Sequence, residues 1–209
     1  MRILKFINQQ LIKDTNMKHL YTSIYHNPGI SRAHLSKQTA LSKTTVSTLI
    51  DELIERNFIL DGGAGESGTT GRTPNQLYIR RNSHFVVVFN WYENRIYTHL
   101  VDIAGTSVFQ EAYELKQGEA YVSASRNCFQ NSVLQHCAPD EILGICVVIA
   151  AMIDEKHGEI YSTTISLPSM EGSQILDSLK EAFPDYPEDL LNDTACYSYE
   201  EKIYGGITE

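Results

Sequence analysis

The chain has 209 residues, of which 42% are hydrophobic and 21% are charged, and its formal net charge is −9. This composition is ordinary for a folded protein and excludes disorder as its main state. No apolar run approaches the roughly 20 residues that cross a bilayer, and the first residues contain no signal-peptide core, so we expect a cytoplasmic protein without a membrane partner.

The charge divides the chain into two parts of opposite sign. Residues 1–81 contain 11 Lys and Arg against 6 Asp and Glu, a net charge of +5, whereas residues 82–209 contain 6 against 20, a net charge of −14. A basic module can approach a polyanion that an acidic module repels. The sequence therefore predicts two domains, residues 1–81 and residues 82–209, with different partners.

The first sixty residues have the pattern of three helices. A first amphipathic helix is indicated by apolar residues at i, i+3, i+4 and i+7, namely Met17, Leu20, Tyr21 and Ile24. Ser31 is an N-cap candidate for a second helix that ends near Thr39, and Ser42 is one for a third helix. Two close-set helices after a first one predict a helix-turn-helix.

The third helix begins with short hydroxyl side chains and one cation, while its acidic residues come later. A recognition helix presents this end to base edges and phosphates. We therefore expect Arg32 to contact a phosphate and the following residues to face the major groove: Ser42, Lys43, Thr44, Thr45, Ser47 and Thr48. The alternative is a solvated helix start that is only capped by Ser42.

Two short strands after the third helix predict a wing. Residues 58–60 and 76–79 are separated by a Gly-rich loop that contains Arg72 near its far end. A flexible arginine suits the narrow minor groove of A·T-rich DNA, so Arg72 is expected to enter it. An ordinary hairpin loop with a solvated arginine is the alternative.

The segment "ISRAHLSKQTALSKTTVSTLIDELIERNFI", followed by "GESGTTGRTP", closely resembles the winged-helix head of the ROK family, which groups sugar-responsive repressors with sugar kinases. Three later segments resemble the first lobe of that family in the same order: "HFVVVFNWYENRIYTHLVDIAGTSV", "ILGICVVIAAMIDEKHGEIYS" and "LLNDTACYSYEEKIYG". The resemblance covers nearly all of residues 14–205 and is to the xylose-repressor type. It implies an α/β protein with an N-terminal winged helix-turn-helix and a single actin-like, ribonuclease-H-like ATPase lobe with a mixed sheet.

The resemblance also implies a function. Repressors of this family bind double-stranded operator DNA as homodimers and control carbohydrate-utilisation genes in response to a sugar or sugar phosphate. The family's sugar-contacting positions correspond to Asn192, Asp193 and Ser166, although an Asn-Asp turn that caps the next helix is an alternative for the first two. Ser166 stands where the family usually has Asn, and Ala150 and Ala151 stand where it usually has Pro-Gly.

A sugar kinase fused to a DNA-binding domain is the enzyme alternative. The motif "DIAGT", residues 102–106, resembles a kinase phosphate turn, but counting strands places it at the second turn of the lobe. The first turn, which would hold the phosphate, reads "FNWYENR": where the kinases of the family have a Gly-Gly pair, this chain has bulky Trp91 and Tyr92, acidic Glu93 and no glycine. We therefore expect no ATP binding and no enzyme. A regulator that binds a protein partner instead of free sugar is a third possibility.

Neither a cofactor nor a metal is expected. The four cysteines, at positions 128, 137, 146 and 196, lack C-x-x-C spacing and are interpreted as reduced, mostly buried thiols. The seven histidines are scattered without metal-ligand spacing. The family's second lobe, which carries a zinc cluster, has no counterpart before Glu209, so the chain is expected to be a piece of a longer repressor or a shortened paralogue.

Overall fold

A computed structural model describes residues 9–64, 75–154, 159–163 and 175–196. The chain divides into two units, Met1–Ser83 and His84–Glu209. In the described residues no helix is long and apolar enough to cross a membrane.

The first unit is a three-helix head with a two-stranded sheet. Its helices are α1 (Gln9–His26), α2 (Arg32–Thr39) and α3 (Lys43–Glu55), and its antiparallel strands are β1 (Ile59–Ala64) and β2 (Asn75–Ile79). Each helix packs its apolar stripe into one core, which contains Leu20, Ile24, Leu35, Ile50 and Leu77 with others. The predicted helices and wing strands are confirmed, although β1 begins one residue later and ends four residues later than the sequence indicated.

The turn of the helix-turn-helix contains a backbone that disfavours ordinary side chains. Ala40, the C-cap of α2, has a φ of 57° in the left-handed region. Glycine usually occupies such a position because any Cβ is crowded there. The short connection to Ser42 therefore keeps some backbone strain, and it holds α2 and α3 close together.

The second unit is built around a five-stranded mixed sheet with the order β5-β4-β3-β6-β9. Its strands are β3 (Phe85–Tyr92), β4 (Arg95–Asp102), β5 (Ser107–Glu114), β6 (Ile142–Ile149) and β9 (Glu188–Asn192). The first three are antiparallel neighbours, and β3, β6 and β9 run parallel. Two parallel strands next to one another require crossovers, which are supplied by helices.

Helices and a small hairpin complete the second unit. The helices are α4 (Tyr121–Asn131) and α5 (Ile175–Ala182), and the hairpin pairs β7 (Ala151–Asp154) with β8 (Glu159–Thr163). Alternate residues of β3 and β4 point into the core beneath the helices, and Phe89 stacks on Phe183 with ring centroids 5.8 Å apart. The alternation follows from the two-residue period of a strand.

Candidate functional site

The start of α3 is fixed by a local cap and by a buried stripe. Ser42 Oγ accepts a hydrogen bond from the Thr45 backbone N–H at 3.0 Å, which satisfies one of the free donors at the helix start. On the opposite side of the helix, four apolar side chains are buried: Val46, Leu49, Ile50 and Leu53. The helix therefore has one fixed rotation, with its polar face directed outward.

The outward face contains most of the residues that were predicted to meet DNA. Ser42, Lys43, Thr44 and Thr48 are exposed, whereas Thr45 and Ser47 are half-buried. The first turn of α3 contains no acidic residue. Hydroxyl groups and one ammonium group thus lie at the helix end where the backbone dipole attracts anions.

Arg32 lies at the first position of α2 and reaches across to α3. Its Nη1 donates to Ser47 Oγ at 3.0 Å and is 2.7 Å from Asp51 Oδ1. Because the Ser47 oxygen accepts this bond, the proton of its own hydroxyl remains to be donated elsewhere. The predicted phosphate contact of Arg32 stays a prediction, but in this structure the guanidinium already has protein partners.

The wing begins with an irregularity that Asp61 organises. The pairing of β1 with β2 shifts register between Asp61 and Ala64, and Gly63 there has a φ of 77°. Asp61 Oδ1 accepts from the Gly63 backbone N–H at 3.1 Å, and Oδ2 accepts from Asn75 Nδ2 at 3.0 Å. One carboxylate thus joins both strands at the base of the wing. Arg72, the predicted minor-groove residue, lies outside the described residues.

The predicted sugar-side residues lie at the end of β9. Asn192 donates through Nδ2 to the Ala151 carbonyl and accepts through Oδ1 from the Ala195 backbone N–H at 3.0 Å. Asp193 is half-buried, and its Oδ1 accepts from the Thr194 backbone N–H at 2.7 Å. The amide group of Asn192 therefore caps the following helix, and a sugar contact of Asp193 stays a prediction. Ser166 lies outside the described residues.

The turn that strand counting predicts to correspond to the kinase phosphate turn is a closed hairpin. The β3–β4 ladder continues without a break to the pair Tyr92 and Arg95, so only two residues form the turn. Glu93, the first of them, has a φ of 52°. A turn that binds phosphate needs several free backbone N–H groups and close approach, which a tight hairpin with a carboxylate does not offer.

Trp91 lies in β3 and points into the core, not into the turn as the sequence suggested. Its side chain is fully buried, its Nε1 donates to Ser125 Oγ at 3.0 Å, and its ring lies 5.1 Å from that of Tyr121. Burial raises the pKa of the Tyr121 hydroxyl, and the nearby Glu93 charge raises it further. Aromatic side chains thus fill the space beside the hairpin.

"DIAGT" forms the second turn of the sheet, as predicted. It joins β4 to β5, and Asp102 Oδ1 accepts from the backbone N–H groups of Ala104 at 3.0 Å and Thr106 at 2.8 Å. The side chain therefore stabilises the turn from within. This role accounts for the aspartate without any phosphate.

The thiols are less buried than predicted. Cys128 is buried, but Cys137, Cys146 and Cys196 are only half-buried. Burial raises the pKa of Cys146 to about 12 and that of Cys128 to about 11. These thiols are therefore protonated near neutral pH and weakly nucleophilic. Among the described residues no group of three His, Cys, Asp or Glu could hold a metal ion.

The chain is similar to known proteins both in its head and along nearly its whole length. A family model described as winged helix-turn-helix DNA-binding matches residues 13–59. The xylose repressor of Caldicellulosiruptor bescii is 28% identical over 203 residues, which cover 95% of this chain and 50% of the relative. The xylose repressor of Bacillus subtilis is 24% identical over 201 residues, which cover 95% and 51%.

A solved structure extends the likeness to the fold of both units. It is a ROK family transcriptional regulator, a homologue of the E. coli MLC protein, with a TM-score of 0.74 and 17% identity over 92% of this chain. The resemblance to the ROK family is confirmed. The ROK-like chain spans about half the length of these relatives, since it covers 49% of the solved chain and about the same share of the repressors. Both curated relatives are named repressors.

Sequence reasoning missed the residues that organise the head behind its outward face. Asp51, Asp61 and Asn75 lie 10 to 24 residues apart in sequence, but all three belong to one polar network with Arg32. Nothing in the spacing of these residues indicates the network. The one signal in the sequence is an aspartate before two glycines, which is typical of a turn or bulge.

Proposed function

We propose that this chain belongs to a transcriptional repressor of carbohydrate-utilisation genes, which reads operator DNA through α3 and the wing and responds to a sugar or sugar phosphate. The observation that carries the proposal is the start of α3. A capped helix with a buried stripe presents hydroxyl groups and one ammonium group outward, without an acidic residue in its first turn. Such a surface matches base edges and phosphates in a major groove.

The charge of the head supports this function. Residues 1–81 have a net charge of +5, while the remainder has a net charge of −14. Phosphate neutralisation provides much of the affinity of a DNA-binding protein, so the head is the favourable side for DNA and the second unit is unfavourable. A palindromic operator read by two heads requires a homodimer.

The named relatives suggest the effector. Curated relatives along 95% of the chain are xylose repressors, so D-xylose is the first compound to test. Asp193, half-buried at the end of β9, offers a carboxylate that can accept hydrogen bonds from sugar hydroxyls. Asn192 holds the strand end beside it, because its side chain bonds both to Ala151 and to Ala195.

The geometry of the β3–β4 hairpin disfavours the kinase alternative. The strand ladder occupies the backbone up to Tyr92 and Arg95, and buried Trp91 fills the adjacent space. We therefore propose that the chain is not an enzyme and that any sugar bound to it acts as a signal.

The decisive experiment is fluorescence anisotropy of the 209-residue chain with a labelled duplex from upstream of its own gene and a scrambled duplex, over a salt series. Saturable preference for the upstream duplex, with log affinity falling linearly with log salt concentration, supports a sequence-reading head. Equal binding to both duplexes, or no binding, contradicts the proposal.

The effector is tested in the same assay. D-xylose should change the affinity for the upstream duplex in the wild-type chain and should have no effect in Asp193→Ala. Asp185→Ala, an exposed aspartate in the same unit, is the matched control and should keep the response. A response that survives Asp193→Ala would contradict the sugar contact, and a chain that responds only to a protein partner would favour the third possibility.

A further inference from the structure

A charged network joins the second helix, the recognition helix and the wing. Arg32 of α2 lies between two carboxylates: Nη1 is 2.7 Å from Asp51 Oδ1 on α3, and Nη2 is 3.8 Å from Asp61 Oδ2 on β1. The same Nη1 donates to Ser47 Oγ at 3.0 Å. One guanidinium thus contacts both of the elements that are proposed to read DNA.

Asp61 is the better shielded of the two carboxylates. Its side chain is 25% exposed, compared with 62% for Asp51 and 30% for Arg32. Solvent screens an exposed pair strongly and a shielded one less. Removal of the more shielded carboxylate, that of Asp61, should therefore change the position of the Arg32 side chain more than removal of the Asp51 carboxylate. This holds although the 2.7 Å contact of Asp51 is the shorter one.

Asp61 also accepts two hydrogen bonds from residues of the wing strands. Its Oδ1 accepts from the Gly63 N–H and its Oδ2 from Asn75 Nδ2, so the carboxylate is held at the register shift of β1 and at the first residue of β2. Asn75 is also the residue that follows the loop containing Arg72 in sequence. A carboxylate bound on three sides can transmit the orientation of one element to another.

The backbone brings these residues together. Leu77 of β2 pairs with Asp61 on one side and forms a bridge to Ile30 on the other. Ile30 is two residues before Arg32, so α2 starts beside the wing sheet. The ion pair between Arg32 and Asp61 thus links the start of α2 to β1, the two segments that flank Leu77 of β2.

We propose that Asp61 is a positioning residue, which fixes the base of the wing to the recognition helix through Arg32 and thereby increases the discrimination between DNA sequences without contacting DNA. The proposal rests on the proposed DNA-binding function. Discrimination requires that the major-groove and minor-groove contacts form together on one sequence. If the wing is loosely attached to the rest of the head, the two sets of groove contacts can form independently. Discrimination between sequences then falls, while the general electrostatic attraction to phosphate remains.

Charge alone predicts the opposite result, which makes the proposal testable. Asp61→Asn removes a negative charge from a basic head, and simple electrostatics then strengthens binding to every duplex by the same factor. Positioning instead predicts that binding to a cognate duplex weakens relative to a scrambled one.

The test measures the affinity of the 209-residue chain for a duplex selected from a random pool by the wild-type chain, and for a scrambled duplex of equal composition. For Asp61→Asn, the ratio of the two affinities should fall about two- to fivefold, the size of a partly exposed ion pair, while affinity for the scrambled duplex stays equal or rises. Equal strengthening on both duplexes would overturn the proposal.

Glu55→Gln is the matched control, because it also replaces an acid by its amide in the head and Glu55 is exposed at the end of α3. It should strengthen both affinities equally and leave their ratio unchanged. Asn75→Ala provides a second variant without a change in charge, and it should lower the ratio in the same direction. If Asp61→Asn does not fold, an unchanged ratio in Asn75→Ala overturns the proposal.

A double-mutant cycle tests whether Asp61 acts through Arg32. In the background of Arg32→Gln, the further change Asp61→Asn should lower the ratio no more than Arg32→Gln does alone. Full additivity of the two losses would show that they act separately, and it would overturn the route through Arg32.

An experiment without DNA separates this proposal from the proposed function. Exchange of the Arg32 Nη protons and of the Gly63 amide, followed by NMR, should become faster in Asp61→Asn than in Glu55→Gln. If the wild-type chain does not discriminate between duplexes, the proposed function fails; unchanged exchange in Asp61→Asn makes this inference fail even where DNA binding is sequence-specific.

Discussion

The start of α3 and the β3–β4 hairpin are two described places at which a phosphate-bearing ligand was considered, and their shape and chemistry differ. The first has a capped helix end, exposed hydroxyl groups and a cation. The second has a closed strand ladder, a fully buried Trp91 and a carboxylate at the turn. Within one chain, the proposed surface for nucleic acid has the chemistry that DNA binding needs, while the turn proposed to correspond to a nucleotide turn does not have the chemistry that phosphate binding needs.

The contrast also concerns what the polar groups do. At the start of α3 the hydroxyl side chains of Ser42, Thr44 and Thr48 are exposed, so they are available to a ligand at little desolvation cost. At the hairpin the indole N–H of Trp91 is used inside the core, in its bond to Ser125. Polar groups are thus open to a ligand at the start of α3, whereas the indole N–H beside the hairpin is used within the fold.

The largest effect should come from removing the buried Trp91 side chain beside the β3–β4 hairpin. Trp91→Ala removes a fully buried indole and its hydrogen bond, and should lower the free energy of unfolding of the second unit by about 3–5 kcal/mol. Urea unfolding followed through the NMR signals of residues in β3 and β4 measures this for the second unit alone. Tyr92→Ala, next in the strand but 49% exposed, should cost less than about 1 kcal/mol. Similar losses in both variants would mean that Trp91 is not a core residue.

A smaller effect is expected at the DNA surface, and it should change specificity more than stability. Thr44→Ala and Ser47→Ala should each reduce discrimination between cognate and altered sites by about 1 kcal/mol or more, while Arg72→Ala should weaken binding most on A·T-rich flanks. Anisotropy with a set of altered duplexes measures both. Thr22→Ala, exposed on α1, is the control. Equal loss on every duplex for all three variants would remove the groove assignments.

The cap of α3 should matter next. Ser42→Ala removes the bond from Ser42 Oγ to the Thr45 N–H and should lower the free energy of unfolding of the head by about 1 kcal/mol. Thermal unfolding without DNA is the measurement. Thr48→Ala, exposed on the same helix, should change it by less than about 0.5 kcal/mol. An unchanged midpoint in Ser42→Ala would show that another group caps the helix.

The smallest expected effect is a gain. Ala40→Gly should stabilise the head by about 0.5–1 kcal/mol, because glycine has no Cβ to crowd the left-handed backbone at a φ of 57°. The same substitution at Ala33, exposed within α2, should destabilise the head by about 0.5–1 kcal/mol. Losses at both positions would mean that the turn does not hold Ala40 in the left-handed region.

Local patterns predicted most of the head. The helix starts at Ser31 and Ser42 depend on residues within one turn of the cap, so the sequence alone indicates them, and both side chains do cap their helices. The position of "DIAGT" at the second turn followed from counting strands, and Asp102 organises that turn. Each of these features is decided by neighbours in sequence.

Contacts between distant residues were not predictable in this way. The sequence places Trp91 in the turn, whereas the structure places it in β3. The end of β3 is set by its pairing with β4, and no residue in "FNWYENR" reveals that pairing. The bridge from Arg32 to Asp61 depends on Leu77 lying between Ile30 and β1. The β7–β8 hairpin is a further element that the sequence analysis does not predict, although the four residues between "AMID" and "EIYST" contain Gly158, which is compatible with a hairpin connection.

Trp91 is the chain's only tryptophan, and it is fully enclosed next to Ser125 and Tyr121. Its intrinsic emission therefore reports on the second unit alone. The helical ellipticity of the chain comes mainly from α1, α2 and α3, which belong to the first unit. An unfolding curve recorded by emission and another recorded by ellipticity are thus two different observations of the same molecule. Their coincidence or separation tells directly whether the two units melt together, without any label being attached.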